Sequence, residues 1–134
     1  MKASQASLYR KIELLLLWVM PVLDRLPKSL SCQELGKKAL ADLTDSLDLV
    51  SFALKAERGH QRLEYIDALI VRMTDLKTII RSFRTMSQNR EPRVLTQAQY
   101  TTFIELLKPI STEVGRWRAS NAGDCSTCSS DHRK

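Results

Sequence analysis

Apolar residues recur along this chain in alternating steps of three and four, and four stretches carry that spacing. In the stretch from Leu63 to Phe83 the positions are Ile66, Leu69, Met73, Leu76, Ile80 and Phe83. This is the seam of a helix packed lengthwise on other helices. The first such stretch, from about Ser7 to Leu26, has Leu8, Ile12, Leu15, Val19, Val22 and Leu26 on its seam, while Leu14, Leu16, Leu17 and Leu23 lie off it. A helix apolar over more than half its circumference is buried on two sides, and in a small domain another subunit can cover the second side. Pro21 removes one backbone hydrogen bond and predicts a bend near the last turn.

Ser31-Cys32-Gln33-Glu34 has the form of a capping box and opens a second helix, to about Glu57, with a seam of Leu40, Leu43, Leu47, Val50 and Leu54. The small residues Gly36, Ala39, Ser46 and Ala53 flank that seam. Asp42, Asp45 and Asp48, three apart, read as a solvated acidic face, and no histidine sits near enough to make them a metal set. Gly59 supplies a left-handed residue after the helix. The third helix covers about Gln61 to Met86, and a polar loop with Pro92 follows. Thr96-Gln97-Ala98-Gln99 is a second capping box, starting a fourth helix to about Ala119 with a seam of Tyr100, Phe103, Leu107, Ile110, Val114 and Trp117. Pro109 falls inside it and predicts a kink.

Helices over about 7–26, 32–57, 61–86 and 96–119, joined by short connections, predict an all-α domain over residues 1–120. Its simplest arrangement is an antiparallel up-down-up-down four-helix bundle. Residues 121–134 are polar and aperiodic, the composition of a disordered tail.

Composition sharpens this picture in three ways. Only four glycines and four prolines occur in 134 residues, which leaves little room for strands and fits one domain. The most apolar run, Ile12 to Leu23, contains Glu13 and Pro21 and falls well short of the roughly 20 residues a membrane span needs. Three cysteines, an odd number without a secretory leader, point to a reducing cytoplasm.

Catalytic chemistry has little to work with. The histidines are His60, at a helix junction, and His132, in the tail. There is no Gly-rich phosphate loop and no HExxH. Bundles that hold two iron ions use a pair of inward Glu-x-x-His motifs, and no such pair occurs. Cys125, Cys128 and His132 have ligand spacing, but tetrahedral zinc needs a fourth ligand, from Cys32, Asp124 or another chain. Without an apolar setting they read as reducible thiols in a flexible tail. The sequence therefore predicts no enzyme, no cofactor and no resident metal.

The charge is more informative. Lysine and arginine total 21 against 15 acidic residues, a net +6 that favours anionic partners. Two thirds of the surplus lies between Lys77 and Arg93, where five cations face the single anion Glu91. Lys77, Arg81 and Arg84 recur at i, i+4 and i+7 and project from one strip of the third helix. Arg72 flanks the strip. Arg116 comes from the end of the fourth helix, which an antiparallel bundle places beside the start of the third. Arginine's planar fork suits bidentate phosphate contact, so Arg72, Lys77, Arg81, Arg84 and Arg116 are the candidate nucleic-acid and partner-binding residues.

Several features together resemble a known family. These are the four helices, Val19-Met20-Pro21 followed by Arg25-Leu26-Pro27-Lys28, and a fourth helix running from Leu95-Thr96 to Glu113-Val114-Gly115-Arg116-Trp117. They resemble the accessory variability determinant (Avd) family of diversity-generating retroelements, within the four-helix-bundle proteins encoded by ribosomal RNA intervening sequences. The resemblance covers about Tyr9 to Arg118. It implies a homo-oligomer, a pentameric ring with a positive surface. It further implies association with the element's reverse transcriptase and with nucleic acid, in support of mutagenic cDNA synthesis from template RNA. The family's basic pair in helix three falls at Lys77 and Arg81, and the cysteine-bearing tail departs from the pattern. Two other readings compete: a protein-only four-helix-bundle adaptor, and a metal- or cofactor-binding bundle enzyme.

Overall fold

The computed structural model describes residues 3–57, 59–89 and 94–124. They form four helices and, among the described residues, no strand: α1 (Ala3–Asp24), α2 (Leu30–Lys55), α3 (His60–Asn89) and α4 (Gln97–Asp124). Each helix packs on its neighbours in the chain, and α1 closes against α4, so the four make a bundle around one core. None is long and apolar enough to cross a membrane.

The three-and-four spacing becomes the core almost position by position. All six seam residues of α3 are buried, joined by Leu63 and Ile79. On α4, Phe103, Leu107, Ile110, Val114 and Trp117 are buried and Tyr100 is partly so. On α1, Leu8, Ile12, Leu15 and Val19 are buried and Val22 is half-buried, and Leu26, just past the helix end, is buried as well.

Helix α2 departs from expectation. Its buried line is Gly36, Ala39, Leu43, Ser46, Val50 and Ala53, while Leu40 is turned outward and Leu47 and Leu54 are only partly covered. The small residues form the seam instead of flanking it. Small side chains let backbones approach, and α2 has its most extensive packing with α3. At Gly36 the fit is tightest: a Cβ there would lie 2.9 Å from Leu26 Cδ1, at the junction of α1 and α2.

The helix ends follow from local hydrogen bonding. Helix α2 is capped by Ser29, not Ser31: Ser29 has φ −69° and ψ 150°, and its Oγ accepts from the Cys32 amide at 3.4 Å. Gln33 donates to the Pro27 carbonyl at 3.1 Å, tying the connection back and starting the helix earlier than the capping-box spacing predicts. The second capping box is reciprocal as expected. The Gln99 amide donates to Thr96 Oγ1 and the Thr96 amide to Gln99 Oε1, both at 3.0 Å. Gly59, with φ 99°, makes the turn into α3. The last carbonyls of α2, orphaned at any helix end, accept from the Arg62 guanidinium: Ala53 at 2.8 Å, Ala56 at 2.9 Å and Leu54 at 3.5 Å.

Helix α4 runs past the expected end at Ala119 to Asp124, so the head of the expected tail is helical. Asn121 is buried and donates to the Trp117 carbonyl at 2.9 Å, and Ala122 packs on Leu63 of α3, which anchors the extra turn. Cys125, Cys128 and His132 lie outside the described residues. Pro21 and Pro109 both sit within uninterrupted helices. Both are exposed, so the backbone bond each removes is lost where water can substitute.

Candidate functional site

The strip of cations on α3 borders a groove against α4. Lys77 and Arg81 line it from α3, and Ile104, Leu107, Lys108, Ser111 and Thr112 line it from α4, with a volume of about 260 Å³ open to solvent on one side. The spacing explains the membership. On α3 the residues are one helical turn apart. On α4 Lys108 and Thr112 are likewise one turn apart, beside the buried seam residue Leu107. Lys77, Arg81 and Lys108 are all exposed, and Ile104 and Leu107 supply the apolar part of the lining. One turn further along α3, the Arg84 guanidinium lies over the Tyr100 ring, 4.9 Å from its centroid. Such a cation–π contact at an exposed site favours this placement of the guanidinium by about 0.5 to 1 kcal/mol.

Among the described residues, no carboxylate lines the groove. The ion pairs among the described residues use Arg10, Lys11, Lys37, His60, Arg72 and Arg118 as their cations. None uses Lys77, Arg81, Arg84 or Lys108. Among the described residues, the groove is therefore a concentration of positive charge without a paired carboxylate. It also holds a polar atom in need of a partner: Ser111 Oγ is buried and, among the described residues, has no hydrogen-bond partner. Thr112 Oγ1 donates to the Lys108 carbonyl at 3.0 Å, which leaves its lone pairs available.

Of the five residues singled out from sequence, the structure brings Lys77, Arg81 and Arg84 together along one side of α3. Arg116 is exposed on α4, one turn beyond Thr112 and outside the groove lining. Arg72 does not belong with them. It reaches Asp45 at 3.7 Å, Asp42 at 3.9 Å and Asp75 at 4.0 Å, on the side of α3 packed against α2. From Lys77 back to Arg72 is five residues, about 140° around the helix, which carries the side chain to another face. Lys108, which sequence reasoning missed, completes the cationic set. Its signal was present: it sits next to the seam residue Leu107, on the side of α4 turned to α3.

The Arg72 cluster corrects a second expectation. Asp42 is not on a solvated face but 3% exposed, and its Oδ2 has no hydrogen-bond partner among the described residues. Burial, then the neighbouring Asp75 carboxylate, pushes its pKa up from the ordinary carboxylate value, against the opposing pull of Arg72 and Lys38; Asp45 adds to the rise. Folded Asp42 thus holds its proton more tightly than the unfolded chain does. This group's contribution then favours folding at acid pH and turns against it as pH climbs above about 3.8 through the raised folded value. Asp42→Asn keeps the shape and removes the buried charge. The variant is expected to be more stable than wild type at neutral pH, by on the order of 1 kcal/mol, with the gap closing in acid. Thermal melts across that range check it, and a variant less stable at neutral pH would show that Arg72 more than offsets the burial. No group of acidic, cysteine or histidine side chains among the described residues is arranged to hold a metal ion.

Comparison of the chain with protein-family models, with curated proteins and with solved structures gave no match.

Proposed function

We propose that this protein is a non-enzymatic accessory factor that binds nucleic acid through the α3–α4 groove, as a homo-oligomer of up-down-up-down bundles. The observation that carries the reading is the groove itself: Lys77, Arg81 and Lys108 around one cavity, with Arg84 stacked on Tyr100 beside it and, among the described residues, no carboxylate in the lining. Clustered cations without a paired carboxylate among the described residues favour phosphate contact, which positions a nucleic acid without reading its bases.

An antiparallel order of the helices is supported by which residues pair. Arg62 of α3 meets the end of α2 while Arg72 meets its middle; Asp67 meets Arg118 of α4 while Arg84 meets Tyr100. Oligomerisation is supported by α1, where Leu14, Leu17 and Met20 are 45%, 58% and 45% exposed on one side of the helix. Following the family resemblance, the assembly is a pentameric ring and the partner a reverse transcriptase of a diversity-generating retroelement, with template RNA as the nucleic acid. Repetition around a ring multiplies a modest patch, so weak contacts in each subunit add through avidity.

The test is the salt dependence of binding to a structured RNA and to a DNA duplex. Four cations per engaged subunit predict a log–log slope of roughly −3 to −4. Weak binding that salt leaves unchanged would overturn the reading in favour of a protein-only adaptor. The oligomer is tested separately by sedimentation. Leu17→Glu is expected to shift the assembly toward single chains, and a wild-type mass of one 15.3 kDa chain would end the ring proposal.

A further inference from the structure

We infer that the α3–α4 groove seats a terminal phosphate monoester, the phosphorylated end of a strand or a free nucleotide, in preference to an internal phosphodiester. This rests on the nucleic-acid reading and makes it specific. A basic surface that only tracks a backbone can be convex, with its cations spread along the phosphates. Here three cations from two helices line one half-open groove of about 260 Å³, just under the roughly 300 Å³ at which small-molecule pockets begin. That space suits a phosphate and part of its sugar better than a complete cofactor.

The chemistry of the lining makes the distinction. A monoester carries a charge near −2 at neutral pH and three unesterified oxygens, whereas a diester carries −1 and has a sugar on each side. Lys77, Arg81 and Lys108 supply three positive charges that repel one another when the groove is empty of anion. A monoester offsets two of them and a diester only one. Arg81 can take two oxygens with its fork, and the two lysines act as point charges. The third oxygen has a partner in Ser111 Oγ, the buried hydroxyl with no other bond among the described residues. Reaching that hydroxyl requires the phosphate to enter the gap between the helices. An end group can do so with its single sugar resting on Ile104 and Leu107, while a diester would have to draw both flanking sugars in after it.

The test compares a short single-stranded oligonucleotide carrying a terminal phosphate with the same strand ending in a hydroxyl, at one salt concentration. Wild type is expected to bind the phosphorylated strand about tenfold more tightly, the scale of one additional charge-assisted hydrogen bond. Lys108→Gln is expected to abolish the preference and Ser111→Ala to reduce it. Both variants should melt no lower than wild type, since each removes a like charge or an unpartnered hydroxyl. Adenosine monophosphate serves as competitor: displacement of the strand identifies the free nucleotide as sufficient ligand, and no displacement identifies the strand end. Equal, salt-sensitive affinity for both strands would overturn the monoester inference and leave the backbone reading intact. No affinity for either would overturn both.

Discussion

Reversing Lys77, Arg81 and Arg84 to glutamate together is expected to lower nucleic-acid affinity by roughly two to three orders of magnitude at moderate salt. Each substitution removes one phosphate contact and puts a like charge in its place, so the salt slope should fall by about three. The fold should survive. All three side chains are exposed, and the change gives up the Arg84–Tyr100 stack, about 0.5 to 1 kcal/mol at an exposed site. The new carboxylates also face Lys108 across the groove and can pair with it. Circular dichroism of the variant establishes folding, and fluorescence anisotropy across a salt series measures binding. A folded variant that binds as tightly as wild type would place the nucleic-acid surface elsewhere, or nowhere. Arg72→Glu is the informative contrast. Because Arg72 is engaged by Asp42, Asp45 and Asp75, its replacement should reduce stability and leave the salt slope unchanged.

Phe103→Ala is expected to destabilise the domain by about 3 to 5 kcal/mol, a large share of the roughly 5 to 15 typical of a whole domain. Phe103 is fully buried where α4 meets α1, and Trp18 of α1 meets it edge-to-face, with ring centroids 5.7 Å apart and planes at 72°. Truncation removes the ring's burial and leaves a cavity that helices held on both sides collapse only partly to fill. It also removes the aromatic pair, itself about 0.5 to 1.5 kcal/mol. Phe103 is not among the residues lining the groove and packs toward Trp18 of α1, so affinity should fall only as the folded fraction falls. Denaturant titration reads the change as a lower midpoint with the slope preserved. A loss below about 1 kcal/mol would mean that α1 and α4 are not packed as tightly as this pairing requires.

The seams of α1, α3 and α4 were legible because their apolar residues are large and evenly spaced, so period and burial coincide. The seam of α2 was misread for the opposite reason. Gly36, Ala39, Ser46 and Ala53 have little hydrophobicity of their own, and they are buried by what packs on them, as Leu26 and Leu23 do on Gly36, which no residue of α2 reports. The Thr96 capping box was legible because its partners lie three residues apart. The α2 cap was not, because Ser29 and Ser31 both offer a hydroxyl and only the fold shows Ser29 accepting from the Cys32 amide, with Gln33 bonded back to Pro27 across the connection. Likewise Arg62, which closes the end of α2 from the next helix, carried no mark of that role.

For the candidate site, sequence alone determined which cations share a strip of α3, since about 3.6 residues per turn fixes the relation of Lys77, Arg81 and Arg84 whatever the helix packs against. It also determined the number and kind of the elements, through periodicity and capping. Only the tertiary structure decided what stands opposite that strip. It brought Lys108 and the unpartnered Ser111 from α4 to Lys77 and Arg81, and it turned Arg72 away among three carboxylates on α2 and α3. Contacts within a helix are set by short-range geometry that the sequence carries directly. Contacts between helices depend on the rotation and approach of each pair, which the whole core sets together.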